Sequence, residues 1–153
     1  VDTILLKSES DTAKLAQVLA ERLRFGDVVG LKGDLGAGKT TLVRHLVAAL
    51  GGAVNQVASP SFTLQNEYVI PGGRRIEHWD LYRLKGALEE LSEPCDSATL
   101  RVIEWPERAP ELIKDLNLLI EITIDEQNTR LVGFYGESAM VMGQGVAVLR
   151  PST

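Results

Sequence analysis

The run Gly33-Asp34-Leu35-Gly36-Ala37-Gly38-Lys39-Thr40-Thr41 constrains this chain more than any other stretch. It reads G-x-x-x-x-G-K-T, a pattern built to hold phosphate. Glycines let the backbone curl until several N–H groups converge on an anion. Lys39 adds a mobile positive charge for the β- and γ-phosphates, and Thr40 offers a hydroxyl to Mg²⁺. Asp34, Leu35, Gly36, Ala37, Gly38, Lys39, Thr40 and Thr41 are therefore the expected nucleotide-binding residues. A helix that starts where the loop ends adds its positive N-terminus to the same anion site.

The flanks agree with the motif. Residues 27–32 (DVVGLK) read as a short buried strand. Residues 41–50 repeat apolar side chains at helical spacing, and Gly51-Gly52 ends them. Strand, glycine loop and helix in that order are what the motif requires. Upstream, residues 3–7 read as a strand. Ser8 or Ser10 caps a helix over 11–24, with Leu15, Val18, Leu19 and Leu23 on one face. Downstream, 62–70 and 74–81 form a hairpin around Pro71-Gly72-Gly73, and 84–91 is a short helix. Residues 100–104 are a buried strand, Pro106 opens a turn or helix through 113, and 117–124 and 130–135 are two more strands. Mixed strands and helices around such a loop predict a three-layer α/β P-loop NTPase fold. Its mostly parallel sheet would carry antiparallel edge strands. Residues 1–135 form one domain. Residues 136–153 are either a last weak edge strand near 146–149 or a partly disordered tail.

A phosphate loop alone does not complete a hydrolysis site, which also needs metal-side carboxylates and a group to orient water. Two acids stand where strand ends put them: Asp80 closes His78-Trp79-Asp80, and Glu104 closes Val102-Ile103-Glu104. Ligands of open α/β sheets lie beyond the carboxyl ends of the strands. Lys39, Asp80 and Glu104 are thus the expected catalytic residues, and Thr40, Asp80 and Glu104 the expected Mg²⁺ ligands. Ser59, Ser61 and Thr63 alternate on a loop able to fold over the γ-phosphate as a switch. Trp79 and Trp105 each flank one of the carboxylates. The core is the favoured place for Trp79, whereas Trp105, before Pro106, is expected to be partly exposed, with a role either at the nucleotide site or towards a partner. His45 reads as structural, and two distant histidines without a cysteine cluster exclude a zinc site.

The formal net charge of −5 argues against a protein that grips nucleic acid by itself, since such binding rests on neutralising phosphates. The single cysteine, Cys95, excludes an internal disulfide framework and fits a reduced, cytoplasmic setting. No apolar run approaches 18 residues, so no membrane span is expected.

Four motifs in order carry a family resemblance: 33–41 (GDLGAGKTT), 59–64 (SPSFTL) with Asn66-Glu67-Tyr68, 78–84 (HWDLYRL), and 103–108 (IEWPER). Together they resemble the bacterial TsaE (YjeE) family over roughly residues 10–135. The resemblance implies an ATPase, using ATP and Mg²⁺, of the tRNA threonylcarbamoyladenosine (t6A) pathway. Its implied partner is the TsaB–TsaD complex, which modifies adenosine 37 of tRNAs reading ANN codons, so that tRNA is met indirectly. It also implies metal and hydrolysis roles for Thr40, Asp80 and Glu104, a switch role for 59–63, and a nucleotide role for Trp105. Ser61 stands where the family usually has threonine, Trp79 where phenylalanine is common, and 85–100 is short and altered. Two other classes share the loop: a nucleotide-dependent docking module with little turnover, and a small-molecule kinase. The kinase reading lacks a long insertion to form an acceptor pocket or lid. No Asn-Lys-x-Asp stretch is present to read guanine.

Overall fold

A computed structural model describes residues 2–60, 64–84 and 89–136. Among these, seven strands form one sheet: β1 (Asp2–Leu6), β2 (Val28–Lys32), β3 (Gln65–Ile70), β4 (Arg74–Asp80), β5 (Thr99–Glu104), β6 (Leu118–Ile124) and β7 (Arg130–Tyr135). Their spatial order is β1-β7-β6-β2-β5-β4-β3. The centre, β6-β2-β5-β4, is parallel. Antiparallel strands flank it on both sides, β3 beyond β4 and β7 then β1 beyond β6. The expected parallel core is there, with antiparallel strands at both edges as expected. All six side chains of β5 are buried, as a central strand covered on both faces requires.

Pleating divides the core into two layers. One face carries Val29, Leu31, Ile76, Leu100, Val102, Leu118 and Ile120 against helices α1 (Glu9–Arg22) and α2 (Lys39–Ala49). The other carries Trp79, Ile103 and Leu119, covered by Leu91 of the short helix α3 (Glu89–Ser92) and by Ala109, Leu112 and Leu116. Those last residues lie between, in and just after two 3-10 segments, Pro106–Arg108 and Pro110–Asp115. The third layer is therefore built of short pieces, and the turn or helix expected from Pro106 through 113 takes the form of these two segments.

Local chemistry sets the element ends. Ser8 caps α1, its hydroxyl accepting from the Asp11 N–H at 3.2 Å, so the helix starts at Glu9, earlier than expected. Glu9 and Asp11 in the first turn and Arg22 in the last complement the helix dipole. Of the helix expected over 84–91, the described part is Glu89–Ser92. Ser61, Thr63 and the tail strand near 146–149 lie outside the described residues. No helix among the described residues is long and apolar enough to cross a membrane.

Candidate active site at the phosphate loop

β2 delivers the chain to the loop, and α2 begins at Lys39 with Gly38 as its N-cap. Gly38 holds φ at +105°, a conformation that L side chains rarely adopt. Gly33 is needed for a different reason: a Cβ there would lie 2.7 Å from the Ile122 carbonyl oxygen of β6. The loop thus packs its backbone directly on the sheet. The first turn of α2 leaves N–H groups without intrahelical partners, facing the space that phosphate would fill.

A cleft of about 330 Å³ lies over this turn, lined by 35–41, Ser59, Asp80, Glu104, Trp105 and Arg130. The expected residues that fall within the described segments converge there, apart from Asp34. That residue is exposed and lines a neighbouring cleft of about 480 Å³ with Lys32, Glu107 and Glu121. The larger cleft contains none of Lys39, Thr40, Asp80 or Glu104, so the chemistry belongs to the smaller one. A third cleft, of about 320 Å³, runs from Gly38, Thr41 and Arg130 to Lys7, Ser8, Glu9 and Thr12.

Asp80 and Glu104 end adjacent parallel strands and are directly in register. Both are buried, at 4% and 3% exposure, and both lie on the face covered by α2. Glu104 Oε2 accepts from the Thr40 hydroxyl at 3.3 Å and from His78 Nε2 at 2.5 Å. Asp80 Oδ1 accepts from the Tyr82 N–H at 2.9 Å. A hydroxyl and two carboxylates are a hard oxygen donor set that suits Mg²⁺. Among the described residues no three His, Cys, Asp or Glu side chains form a metal cage. A cation here would therefore depend on phosphate oxygens as well, the usual Mg²⁺ arrangement.

Lys39 is buried and donates to the Gly33 carbonyl while its ammonium sits 4.0 Å from the centre of the Trp105 ring. Burial pulls its pKa below the usual lysine range; Glu104, then Asp80, Glu107 and Asp34 oppose that shift by their charge. Trp105 is held at φ +59°, its N–H bonded to Leu31 and its ring 4.8 Å from that of Tyr82.

Trp79 lies in the core, as expected. Trp79, though next to Asp80, points to the opposite face: successive strand residues alternate, and its indole N–H reaches Glu77 at 2.6 Å within the rear layer. It cannot share a nucleotide-reporting role with Trp105. The arginine that lines the cleft is Arg130. Arg130, first residue of β7, donates from Nε to the Ala37 carbonyl at 2.8 Å and lies against Gly38. Sequence reasoning missed Arg130, because only the β6–β7 pairing brings it 93 residues back to the loop. It also left His78 without a role and passed over Tyr68. The available signal was parity: 78 and 80 share a face.

Intrinsic fluorescence is expected to change when ADP fills the cleft, because phosphate competes with the Trp105 ring for Lys39. Trp105→Phe should remove most of the change and Trp79→Phe should leave it. A signal that survives Trp105→Phe and vanishes with Trp79→Phe would contradict this placement.

Comparison with known proteins agrees with the geometry. The model of the family "Threonylcarbamoyl adenosine biosynthesis protein TsaE" matches residues 6–132. A tRNA threonylcarbamoyladenosine biosynthesis protein TsaE of Aquifex aeolicus is 42% identical over 133 residues, covering 86% of this chain and 94% of that protein. The Rickettsia felis protein of the same name is 35% identical over 139 residues, covering 89% of this chain and 81% of its own. The crystal structure of "Bacillus subtilus YdiB" superposes with a TM-score of 0.69 at 26% identity, over 95% of this chain and 93% of that one. With four motifs in order, the loop and its two strand-end carboxylates in one cleft, and a family match over most of its length, this chain belongs to the TsaE family of tRNA threonylcarbamoyladenosine biosynthesis proteins.

Proposed function

We propose that this chain is a Mg²⁺-dependent P-loop ATPase that acts in the cytoplasm as an accessory subunit of the TsaB–TsaD complex. There it would support t6A modification of adenosine 37 in tRNAs reading ANN codons. The observation that supports the ATPase reading furthest is the meeting of Lys39, Thr40, Asp80 and Glu104 in one cleft at the start of α2. The pathway rests on the family and the names of its members, and the TsaB–TsaD partner on what the motif resemblance implies.

In this reading the triphosphate lies along the first turn of α2. Lys39 exchanges the Gly33 carbonyl and the Trp105 ring for the β- and γ-phosphates. Thr40, Asp80 and Glu104 would hold Mg²⁺, which would neutralise charge on the phosphates. Glu104 orients the attacking water, and Arg130 adds a second fixed cation beside the loop. The nucleoside extends into the cleft from Thr41 and Arg130 towards Lys7 and Thr12, which contains neither Asp80 nor Glu104.

Turnover by the isolated chain is expected to be slow. Ser59 lines the cleft but is exposed, so the segment carrying it closes only part of the site. Closing such a segment and excluding water are what a partner adds to P-loop hydrolysis. Phosphate release should therefore rise by at least about tenfold when TsaB–TsaD is added, and should respond further to tRNA. Equal rates for the chain alone, with TsaB–TsaD, and with both TsaB–TsaD and tRNA would overturn partner gating, given complex formation on gel filtration. Release that stays at background in every mixture while ATP binds would favour a docking module.

A further inference from the structure

Behind Glu104 lies a buried chain of polar side chains that the hydrolytic reading does not use. His78 is fully buried at 0% exposure and stands two residues before Asp80 on the same face of β4. Its Nε2 is 2.5 Å from Glu104 Oε2, and its Nδ1 is 2.8 Å from the Tyr68 hydroxyl on β3. Tyr68, 1% exposed, also reaches the Ala58 carbonyl at 3.1 Å. Ala58 immediately precedes Ser59, which lines the cleft. The chain thus runs from the segment that borders the site, through two buried rings, to the carboxylate at its centre.

From these contacts we infer that His78 and Tyr68 are positioning residues for Glu104, through which the segment at 58–60 sets the orientation of that carboxylate. The inference rests on the reading of Glu104 as the water-orienting group.

Proton counting gives the link its direction. An ionised carboxylate only accepts, so His78 Nε2 must carry a proton to serve Glu104. In a neutral imidazole Nδ1 is then an acceptor and takes the Tyr68 O–H. Tyr68 has one proton and two claimants, His78 Nδ1 and the Ala58 carbonyl. The Ala58 carbonyl has a second donor, the Asn66 side-chain amide at 3.2 Å. Movement of residue 58 therefore changes which acceptor holds the Tyr68 proton, and with it how firmly His78 pins Glu104. Burial pushes the Tyr68 phenol up, which keeps it a donor. A histidine that only filled space would need none of these partners to be parts of the site.

The test is single-turnover ATP hydrolysis with protein in excess, alongside ATP affinity from Trp105 fluorescence and thermal melting. Tyr68→Phe keeps the ring and removes the hydroxyl. It should slow hydrolysis about tenfold, leave ATP affinity within about twofold, and add nothing further in a Glu104→Gln background. His78→Gln retains an N–H for Glu104 and should be several-fold faster than His78→Leu. If the His78 variants fail to fold, Tyr68→Phe and its combination with Glu104→Gln still decide the matter. Wild-type hydrolysis by Tyr68→Phe, with Glu104→Gln slow, overturns the inference and leaves the hydrolytic reading standing. The same fractional loss in both backgrounds also overturns it, because Tyr68 would then act by packing alone. Wild-type hydrolysis by Glu104→Gln instead overturns the reading of Glu104 itself.

Discussion

Glu104→Gln is expected to bind ATP as the unaltered protein does and to hydrolyse it about a hundredfold or more slowly. The side chain is buried, so a substitution that changes its volume would confound chemistry with packing. Glutamine keeps the shape. Its amide oxygen still accepts from Thr40 or His78, which donate to Glu104 Oε2 at 3.3 and 2.5 Å. What it loses is the negative charge that orients water and complements the metal. Phosphate binding rests on the loop, on Lys39 and on the start of α2, where the amide oxygen can keep the contact that Glu104 makes to Thr40. Binding and hydrolysis should therefore separate. Asp80→Ala should differ by weakening the Mg²⁺-dependent part of binding as well. A Glu104→Gln protein that releases phosphate at the unaltered rate, in the presence of partners, would reduce Glu104 to a structural strand-end acid.

Much of this site was legible in the sequence because its parts are local or follow from strand geometry. The loop motif carries its own spacing. Asp80 and Glu104 could be singled out because each ends a strand, and the sheet places such ends together; the register between them is direct. Periodicity also gave the helix after the loop and the strands at 3–7, 74–81 and 117–124 to within a residue or two. Three things needed the fold. The direction of Trp79 is one: it adjoins Asp80 in sequence, yet pleating sends neighbours to opposite faces. Arg130 reaches the loop only because β7 returns antiparallel to β6, a pairing that no local pattern specifies. Tyr68 meets His78 through the register of the β3–β4 hairpin, in which Asn66 and not Tyr68 is the direct partner of His78. The rear layer was unreadable for another reason: it is assembled from short 3-10 segments with no sustained period.

Glu77→Ala is expected to destabilise the fold by about 3–5 kcal/mol while leaving the ATP affinity of the folded protein unchanged. Glu77 lies in register with Arg101 on the neighbouring strand, and its Oε1 accepts from Arg101 Nε at 2.7 Å and from Trp79 Nε1 at 2.6 Å. The two charged side chains are only 9% and 8% exposed. Arg101 also donates to the Glu93 carbonyl at 2.8 Å, but that neutral acceptor does not balance a guanidinium charge. Removing Glu77 leaves the cation beside the apolar cluster of Trp79, Leu91 and Ile103, and leaves the Trp79 N–H without its acceptor. Desolvation makes that far costlier than the loss of an exposed pair, worth about 1 kcal/mol at most. Replacing both partners, Glu77→Leu with Arg101→Leu, removes the uncompensated charge and should cost markedly less than the single change. Glu77 and Arg101 face the rear layer, away from Asp80 and Glu104, so the substitution acts on the strands that carry the site and not on its groups. Urea unfolding checks this through the midpoint at constant m-value. A single-variant loss below about 1 kcal/mol would mean that water reaches Arg101 and that the rear layer is not closed over it.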